Sequence, residues 1–286
     1  MMTVAHPTSV TAVLFDWAGT MIDFGSRAPV MAMERVFGQA GVLVEEAAIR
    51  RYMGKAKREH VVAMLSDPEI AARWREAKGA DWTEADVDAL MVRLEPAMQE
   101  CAGICRELIP GAVETFAMLR ARGIRVGSTT GYTRTMMAEI IPAAAEQGYD
   151  PEVIVCAGET AQGRPAPLML WKALVEMGMW PAGACMAVDD APVGVEAGRH
   201  AGMWTVGLGG SGNGVGLDHA TFTALSKAER DERMAPVVAE FTAAGADFVI
   251  ESVAELDLAV AAVEQAMVRG ERPGASQTRF LAGVAA

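Results

Sequence analysis

The stretch Phe15–Thr20, with the sequence FDWAGT, closes an apolar run and decides how the rest of the chain is interpreted. The run Thr11–Asp16 (TAVLFD) has the short, apolar character of a buried strand. Asp16 stands at the end of this predicted strand, and Gly19 provides a tight turn after it, so the loop suggests a nucleophilic aspartate. Two residues after Asp16, where a second carboxylate would complete an acid/base pair, the chain has Ala18.

Further short apolar runs follow this stretch and alternate with helical patterns. The other predicted strands are Ile124–Thr129, Val153–Cys156, Cys185–Val188, Trp204–Leu208 and Phe248–Ile250. Strands that alternate with helices form repeated β-α units, and such units build a parallel sheet. The sequence therefore predicts an α/β fold.

The connection between the first two predicted strands is more than a hundred residues long. Ordinary β-α loops have about 2–6 residues, so an inserted domain is expected here. The predicted helices of the insert are Ala28–Gln39, Glu45–Arg51, Lys55–Leu65, Pro68–Ala77 and Thr83–Arg106. We predict a helical cap domain at 24–105, an α/β core domain at 1–23 and 106–270, and a flexible tail at 271–286.

Composition excludes several classes of partner. The chain has 286 residues, is 51% hydrophobic and 22% charged, and carries a formal net charge of −12, which disfavours nucleic acid and anionic membranes. The N-terminus lacks the pattern of a signal peptide, and no window approaches the roughly 18 apolar residues of a membrane span. Four cysteines without metal-type spacing are expected to be reduced and structural. The expected location is the cytoplasm.

The residues at the carboxyl ends of the predicted strands carry the chemistry, because open parallel sheets bind ligands at that edge. Strand one ends in Asp16, strand two runs into Thr130-Gly131, and strand four runs into Asp189-Asp190. Carboxylate oxygens suit Mg²⁺, and hydroxyl and amide donors suit a phosphoryl group. Arg164, within GRPAP, adds a cation. Taken alone it would be a solvated arginine in a surface turn, whereas beside carboxylates it would balance their charge.

Together these motifs resemble the haloacid dehalogenase superfamily, with Arg164 in place of the commoner lysine. The resemblance implies a Rossmann-like parallel-sheet core with strand order 5-4-1-2-3 and a helical cap inserted after the first strand. It also implies that Asp16 attacks phosphorus to give an aspartyl-phosphate and that Mg²⁺ neutralises the site.

Ala18 departs from the phosphatases of that superfamily, which carry a second aspartate there to protonate an alkoxide leaving group. A candidate for handling a different leaving group lies in the cap. Lys57 shares one predicted helix face with Val61, Met64 and Leu65. Either its amine reaches out to water, or burial lowers its pKa and leaves a neutral amine that can attack a carbonyl.

The pattern Met53-Gly54-x-x-Lys57-x-x-His60 resembles the phosphonatase subgroup, as do FDWAGT, GSTTGYTR at 127–134, GRPAP at 163–167 and AGMWTVG at 201–207. This resemblance implies hydrolysis of the carbon–phosphorus bond of phosphonoacetaldehyde through a Schiff base on Lys57. The residues that it implies are Asp16, Ala18 (by its carbonyl) and Asp190 for Mg²⁺, and Thr130, Gly131, Arg164 and Tyr132 for the substrate. It further implies a homodimer. His60 is interpreted either as a proton carrier or as a partly buried polar residue.

Two other functions remain open on the sequence. A phosphate-ester hydrolase or mutase of the same superfamily would need the acid that Ala18 lacks. A catalytically silent binding protein would show erosion at other positions, yet Asp16, Lys57 and Asp190 are all present. One departure affects the metal site: some relatives have an aspartate where this chain has Gly194, and Asp189 is the expected compensating partner outside the direct ligands.

Overall fold

The computed structural model describes residues 7–275 and 277–281 of the chain. Within this part, seven strands form one sheet in the order β3-β2-β1-β4-β5-β6-β7, and each neighbouring pair is parallel. The strands are β1 Ala12–Phe15, β2 Arg125–Thr133, β3 Val153–Ala157, β4 Cys185–Asp189, β5 Trp204–Leu208, β6 Phe248–Ile250 and β7 Arg279–Phe280. The implied order 5-4-1-2-3 is confirmed for the first five strands.

Five helices form the insert between β1 and β2. They are α1 Arg27–Gln39, α2 Glu46–Arg50, α3 Lys57–Ser66, α4 Pro68–Lys78 and α5 Glu84–Ile104. Their ends follow local chemistry: Asp67 caps α4 by accepting a hydrogen bond from the Glu69 amide, and Gly79 ends it in a left-handed conformation. These helices match the predicted ones, and residues 27–104 are called the cap below.

The remaining helices cover both faces of the sheet. They are α6 Ala112–Ala121, α7 Ile140–Gln147, α8 Leu168–Glu176, α9 Pro192–Ala201, α10 His219–Ala224, α11 Lys227–Ala244 and α12 Leu256–Val268. Alternate residues of β1 serve opposite faces: Leu14 belongs to the cluster that contains the apolar residues of α8, whereas Phe15 belongs to the large cluster that includes α6 and α12. Burial on both faces explains the continuous apolar runs of the strands.

The strand register brings the predicted site residues to one edge. Phe15 is level with Ser128 of β2 and with Val188 of β4, and the Asp16 amide donates to the Val188 carbonyl at 2.9 Å. Asp16, the residue after β1, is therefore level with Asp189, the last residue of β4. β2 runs to Thr133, beyond the predicted end at Thr129, because an irregular register after Thr130 lets Thr133 pair with Ala157.

Part of the segment predicted as a flexible tail, 271–286, pairs with the sheet. Its residues 279–280 form β7, and the amides of Arg279 and Leu281 donate to the carbonyls of Asp247 and Val249. The strand is only two residues long and its pattern is too short to recognise in the sequence, so the sheet edge alone decides its conformation. Residues 276 and 282–286 lie outside the described residues. Across the described ranges, no helix is both long and apolar enough to cross a membrane.

Candidate active site

Three buried aspartates meet at the carboxyl edge of β1 and β4. Asp16, Asp189 and Asp190 each place a carboxylate oxygen within 4.8 Å of the others. All three side chains are less than a tenth exposed. Oxygen-only ligands from carboxylates match the preference of Mg²⁺, so the donor set fits a divalent cation.

Arg164 provides the positive charge for this cluster. Its Nη1 lies 2.8 Å from Asp16 Oδ1 and 3.2 Å from Asp189 Oδ2, and Nη2 donates to the Thr129 carbonyl and hydroxyl at 3.1 and 3.0 Å. The side chain is only 4% exposed, which rules out the solvated turn that the arginine alone would suggest. Although burial disfavours the charge, Asp189 and Asp16 raise the pKa of Arg164. The guanidinium therefore stays charged.

One guanidinium does not balance three carboxylates. Burial raises the pKa of Asp16 despite the opposing effect of Arg164. Burial and the neighbouring Asp16 and Asp189 raise the pKa of Asp190 well above its usual range. Burial and mutual repulsion thus disfavour the ionised form of these carboxylates. A bound divalent cation would offset both effects, because it favours the ionised form.

The FDWAGT loop turns sharply over this cluster. The Trp17 carbonyl accepts hydrogen bonds from the amides of Thr20, Met21 and Ile22. Among the described residues, the carbonyl oxygen of Ala18 accepts no hydrogen bond. Gly19 has a φ of +79°, and a Cβ there would lie 2.2 Å from Asp190 Oδ2. The glycine is thus required by the close approach of the Asp190 carboxylate.

The end of β2 forms the wall opposite these carboxylates. Thr130 is buried, and its hydroxyl oxygen accepts from the Tyr132 amide at 3.1 Å, which leaves the hydroxyl proton free to donate elsewhere. A Cβ at Gly131 would lie 2.8 Å from the Lys55 carbonyl oxygen. Tyr132 is 4% exposed, and its phenol oxygen has no partner among the described residues. Thr130, Gly131 and Tyr132 therefore line the cavity together with residues of both the core and the cap.

The cap reaches the core through residues 53–57. Gly54 has a φ of +85°, and a Cβ there would lie 2.7 Å from Ala191 Cβ and 2.7 Å from Val193 Cγ1. Lys57 begins α3, and its Nζ lies 5.0 Å from the centroid of the Tyr132 ring. Residues 53–57, called the cap loop below, therefore contact the core directly. Lys57 and Asp16 line the same cavity.

Lys57 is buried, not solvated. Its side chain is 3% exposed, in line with Val61, Met64 and Leu65, which are also buried on α3. Burial lowers its pKa from 10.5 to about 8, although Asp16 and Asp190 oppose the shift. At pH 7 about one molecule in ten then carries a neutral amine, against fewer than about one in a thousand for an ordinary lysine. Of the two interpretations of Lys57 from the sequence, the structure fits the buried amine with a lowered pKa and not the amine that reaches out to water.

His60 lies one turn after Lys57 and is fully buried instead of partly buried. Its Nε2 lies 2.9 Å from the Ile49 carbonyl, so Nε2 carries the hydrogen and donates it. Nδ1 has no partner among the described residues. Burial, together with the charge of Lys57, lowers the pKa of His60 to about 3. The ring is neutral, with an acceptor nitrogen at Nδ1.

The structure explains why a glycine stands at position 194. A Cβ on Gly194 would lie 1.9 Å from Asp189 Oδ2, so the Asp189 carboxylate occupies that space. Asp189 Oδ1 accepts from the Ala191 amide at 3.0 Å, and Oδ2 faces Arg164. Asp189 is thus held between the start of α9 and the guanidinium.

A small cavity joins the core and cap groups. It has a volume of about 20 Å³, roughly the space of one water molecule. Among the predicted site residues, its lining contains Asp16, Ala18, Lys57, Thr130, Gly131, Tyr132, Arg164 and Asp190. His60 and Asp189 lie outside the lining. A cavity of this size has room for about one water molecule and not for an organic substrate.

Sequence reasoning missed several residues of this site. Ser26 and Pro29 line the cavity. Asp23 accepts hydrogen bonds from the amides of Arg27 and Ala28 at the start of α1, and burial raises its pKa to about 6. The loop 209–217 after β5 also touches the site. Its glycine-rich sequence, GGSGNGVGL, follows a strand at the ligand-binding edge and was the available signal.

Comparisons with known proteins agree with this geometry. Residues 10–202 match a family model described as haloacid dehalogenase-like hydrolase. The chain is 44% identical to the phosphonoacetaldehyde hydrolase of Paraburkholderia xenovorans, over 92% of this chain and 99% of that protein. It is 41% identical to the phosphonoacetaldehyde hydrolase of Hahella chejuensis, over 96% and 92% respectively. A crystal structure of a phosphonoacetaldehyde hydrolase-like protein from Oleispira antarctica has 41% identity and a TM-score of 0.93, covering 96% of this chain and 99% of that chain.

Proposed function

The chain belongs to the haloacid dehalogenase-like hydrolases and, within them, to the phosphonoacetaldehyde hydrolase family, and on this basis we propose that it cleaves the carbon–phosphorus bond of phosphonoacetaldehyde to give acetaldehyde and phosphate. The observation that carries the proposal is the buried Lys57, whose pKa of about 8 leaves part of it neutral beside Asp16. A hydrolase of simple phosphate esters has no use for such an amine, and it would need the acid that Ala18 does not provide.

Lys57 would activate the carbon side of the substrate. The neutral Nζ attacks the aldehyde carbon, and loss of water gives a protonated imine. This cation accepts the electron pair of the carbon–phosphorus bond, so the leaving group is an enamine instead of a carbanion. The same step explains why Ala18 suffices: no alkoxide forms and no proton is required there.

Asp16 would act on the phosphorus side. A carboxylate oxygen of Asp16 attacks phosphorus as the carbon–phosphorus bond breaks, and an aspartyl-phosphate forms. Water then hydrolyses this intermediate to phosphate and regenerates Asp16. The enamine takes a proton at carbon, and a second water hydrolyses the resulting imine to acetaldehyde and free Lys57. One water is released when the imine forms and two are consumed, so the net reaction uses one.

The substrate phosphonate would be held by Arg164, the Thr130 hydroxyl and the Gly131 amide. Arg164 already faces Asp16 at 2.8 Å, which favours the ionised nucleophile and supplies positive charge next to the attacked phosphorus. Tyr132 would line the aldehyde side, below Lys57. The net charge of −12 makes this local positive charge necessary for an anionic substrate.

Asp16, Asp190 and the carbonyl of Ala18 would bind Mg²⁺, with Asp189 beside them. When bound, the ion would neutralise the carboxylates and the phosphonate oxygens. The free Ala18 carbonyl and the mutual proximity of the carboxylates support this assignment. His60 is neutral, its pKa is lowered to about 3, and it lies outside the cavity lining, so we assign it the role of a buried polar residue and not of a proton carrier.

Borohydride trapping tests the amine. The protein is incubated with Mg²⁺ and phosphonoacetaldehyde, reduced, digested and analysed by peptide mass. We expect a secondary amine at Lys57 and none at Lys55, which lies two residues away in the same loop and serves as the internal control. Reduction at another lysine, or continued turnover without any adduct, would contradict the Schiff-base mechanism.

A homodimer in the cytoplasm completes the proposal. On α8, Trp171 and Val175 are 45% and 78% exposed, so a large part of each side chain lies outside the internal packing and offers an apolar face for a second copy. The four cysteines are free thiols, as expected in a reducing compartment. Sedimentation of the wild type and of Val175→Glu would test the dimer, and a monomeric wild type would refute it.

A further inference from the structure

Arg50, the last residue of α2 in the cap, binds the core through a fork of hydrogen bonds. Its Nη1 donates to the Gly25 carbonyl at 2.8 Å and to Asn213 Oδ1 at 3.1 Å, and Nη2 donates to the Gly216 carbonyl at 3.1 Å. Nε pairs with Glu46 at 2.7 Å, and the side chain is 13% exposed. The planar guanidinium presents its donors in a fixed, spread geometry that reaches several acceptors, and the compact ammonium of a lysine does not reproduce that geometry.

Asn213 continues this connection into the active site. Its side-chain amide donates to the Arg50 carbonyl at 3.0 Å, so the two residues bind each other in both directions. Its backbone amide donates to Asp190 Oδ2 at 2.7 Å, and this contact is buried. A single residue therefore links the cap to a carboxylate of the candidate metal site.

The loop that carries Asn213 is built to stay close to both partners. A Cβ on Gly212 would lie 2.5 Å from Asp190 Cβ, and a Cβ on Gly216 would lie 2.7 Å from the Arg50 guanidinium. The Ser211 hydroxyl donates to the Gly19 carbonyl at 2.9 Å, within the FDWAGT loop. The loop 209–217 thus contacts the cap, the nucleophile loop and Asp190 over a few residues.

We propose that Arg50 and Asn213 are positioning residues that couple closure of the cap to the placement of the Asp190 carboxylate. When the cap closes, Arg50 fixes Asn213, and the Asn213 amide holds Asp190 Oδ2. When the cap opens, α2 moves away and this support is lost. The proposal rests on the proposed function in one respect, the assignment of Asp190 as a Mg²⁺ ligand.

Mg²⁺ affinity without substrate is the first test. Titration calorimetry is performed on the wild type, Arg50→Ala, Asn213→Ala and the double variant. We expect each single change to raise the Kd for Mg²⁺ about tenfold, as partners of metal ligands commonly do. The double variant should match the single variants, because both changes break one connection. Additive losses would overturn the proposal.

Arg51→Ala is the matched control. Arg51 is the next residue in the chain, but its side chain is 60% exposed and pairs with Asp67 inside the cap. We expect an unchanged Kd for Mg²⁺. Equal effects of Arg50→Ala and Arg51→Ala would overturn the proposal. If Arg50→Ala does not fold, Asn213→Ala and Arg50→Lys, which retains the charge without the fork, provide the same comparison.

Amide hydrogen exchange tests the coupling in the opposite direction, since linkage is reciprocal. Mg²⁺ should slow exchange in both α2 and the loop 209–217 of the wild type, but only in the loop of Arg50→Ala. Protection of α2 that persists in Arg50→Ala would overturn the coupling. A wild type that binds no Mg²⁺ would refute the metal assignment and this proposal together. Normal Mg²⁺ binding without cleavage of phosphonoacetaldehyde would refute only the proposed reaction.

Discussion

The core edge and the cap loop both bury charged groups, but burial has opposite consequences in the two regions. At the core edge, Arg164 lies between Asp16 and Asp189 and keeps its charge. In the cap loop, the same lack of solvent lowers the pKa of Lys57 to about 8. In the core, neighbouring carboxylates keep Arg164 charged despite its burial. In the cap, burial favours the neutral form of Lys57.

This difference corresponds to the two halves of the proposed reaction. Attack on a phosphonate needs an ionised carboxylate and nearby cations. Attack on an aldehyde needs a neutral amine. Both groups line one cavity of about 20 Å³, so the two chemical states lie side by side in the structure.

The largest expected effect comes from replacing the reacting group of each region, Asp16 in the core and Lys57 in the cap. Asp16→Asn and Lys57→Arg should each lower kcat/KM by roughly 10⁴-fold or more, because each removes a covalent nucleophile. Their trapping behaviour should differ: Asp16→Asn still forms an adduct at Lys57 on borohydride reduction, whereas Lys57→Arg forms none. Loss of the adduct in a folded Asp16→Asn protein would show that the two halves do not act independently.

Gly54→Ala should interfere with closure without touching either reacting group. The new Cβ would lie 2.7 Å from Ala191 and Val193, so the cap loop must shift and kcat/KM should fall about 10²-fold. Gly79→Ala is the control, since Gly79 also has a positive φ, +76°, but no atom within 4 Å of the added Cβ. Steady-state kinetics with both variants separates backbone strain from steric obstruction, and equal activities would contradict a closed working state.

The pH dependence of trapping should report the lowered pKa of Lys57. Its neutral fraction rises about fifteenfold between pH 6.5 and 8 for a pKa of about 8, and trapping should level off above that pH. A lysine with an ordinary pKa of 10.5 would show a continued rise instead. The initial rate of adduct formation at saturating borohydride, measured from about pH 6.5 to about pH 10, distinguishes the two.

Ala18→Asp should have the smallest effect of the four. A further carboxylate beside the phosphonate should lower turnover about fivefold, which corresponds to ~1 kcal/mol of screened repulsion. No useful activity on p-nitrophenyl phosphate is expected. Ala18→Asn has the same size without the charge and should retain more turnover on phosphonoacetaldehyde. Unchanged turnover in Ala18→Asp would mean that alanine at this position is incidental.

Local patterns were sufficient to predict the first six strands and the cap helices, because apolar periodicity and turn residues are local signals. β7 was not predicted, because its two residues form a strand only when β6 offers them a partner. The loop 209–217 was also missed: the function of Asn213 depends on Arg50 and Asp190, which lie far from it in the chain.

The sequence by itself determined which chemical groups are present: a strand-end aspartate without its usual acid partner, a lysine on an apolar helix face, and an arginine between prolines. Tertiary structure alone decided their states. Whether Lys57 is solvated or neutral, and whether Arg164 is a surface charge or the partner of Asp16, depends on how much water packing excludes. The pKa of a side chain is set by its surroundings in space, and these are assembled from segments more than a hundred residues apart.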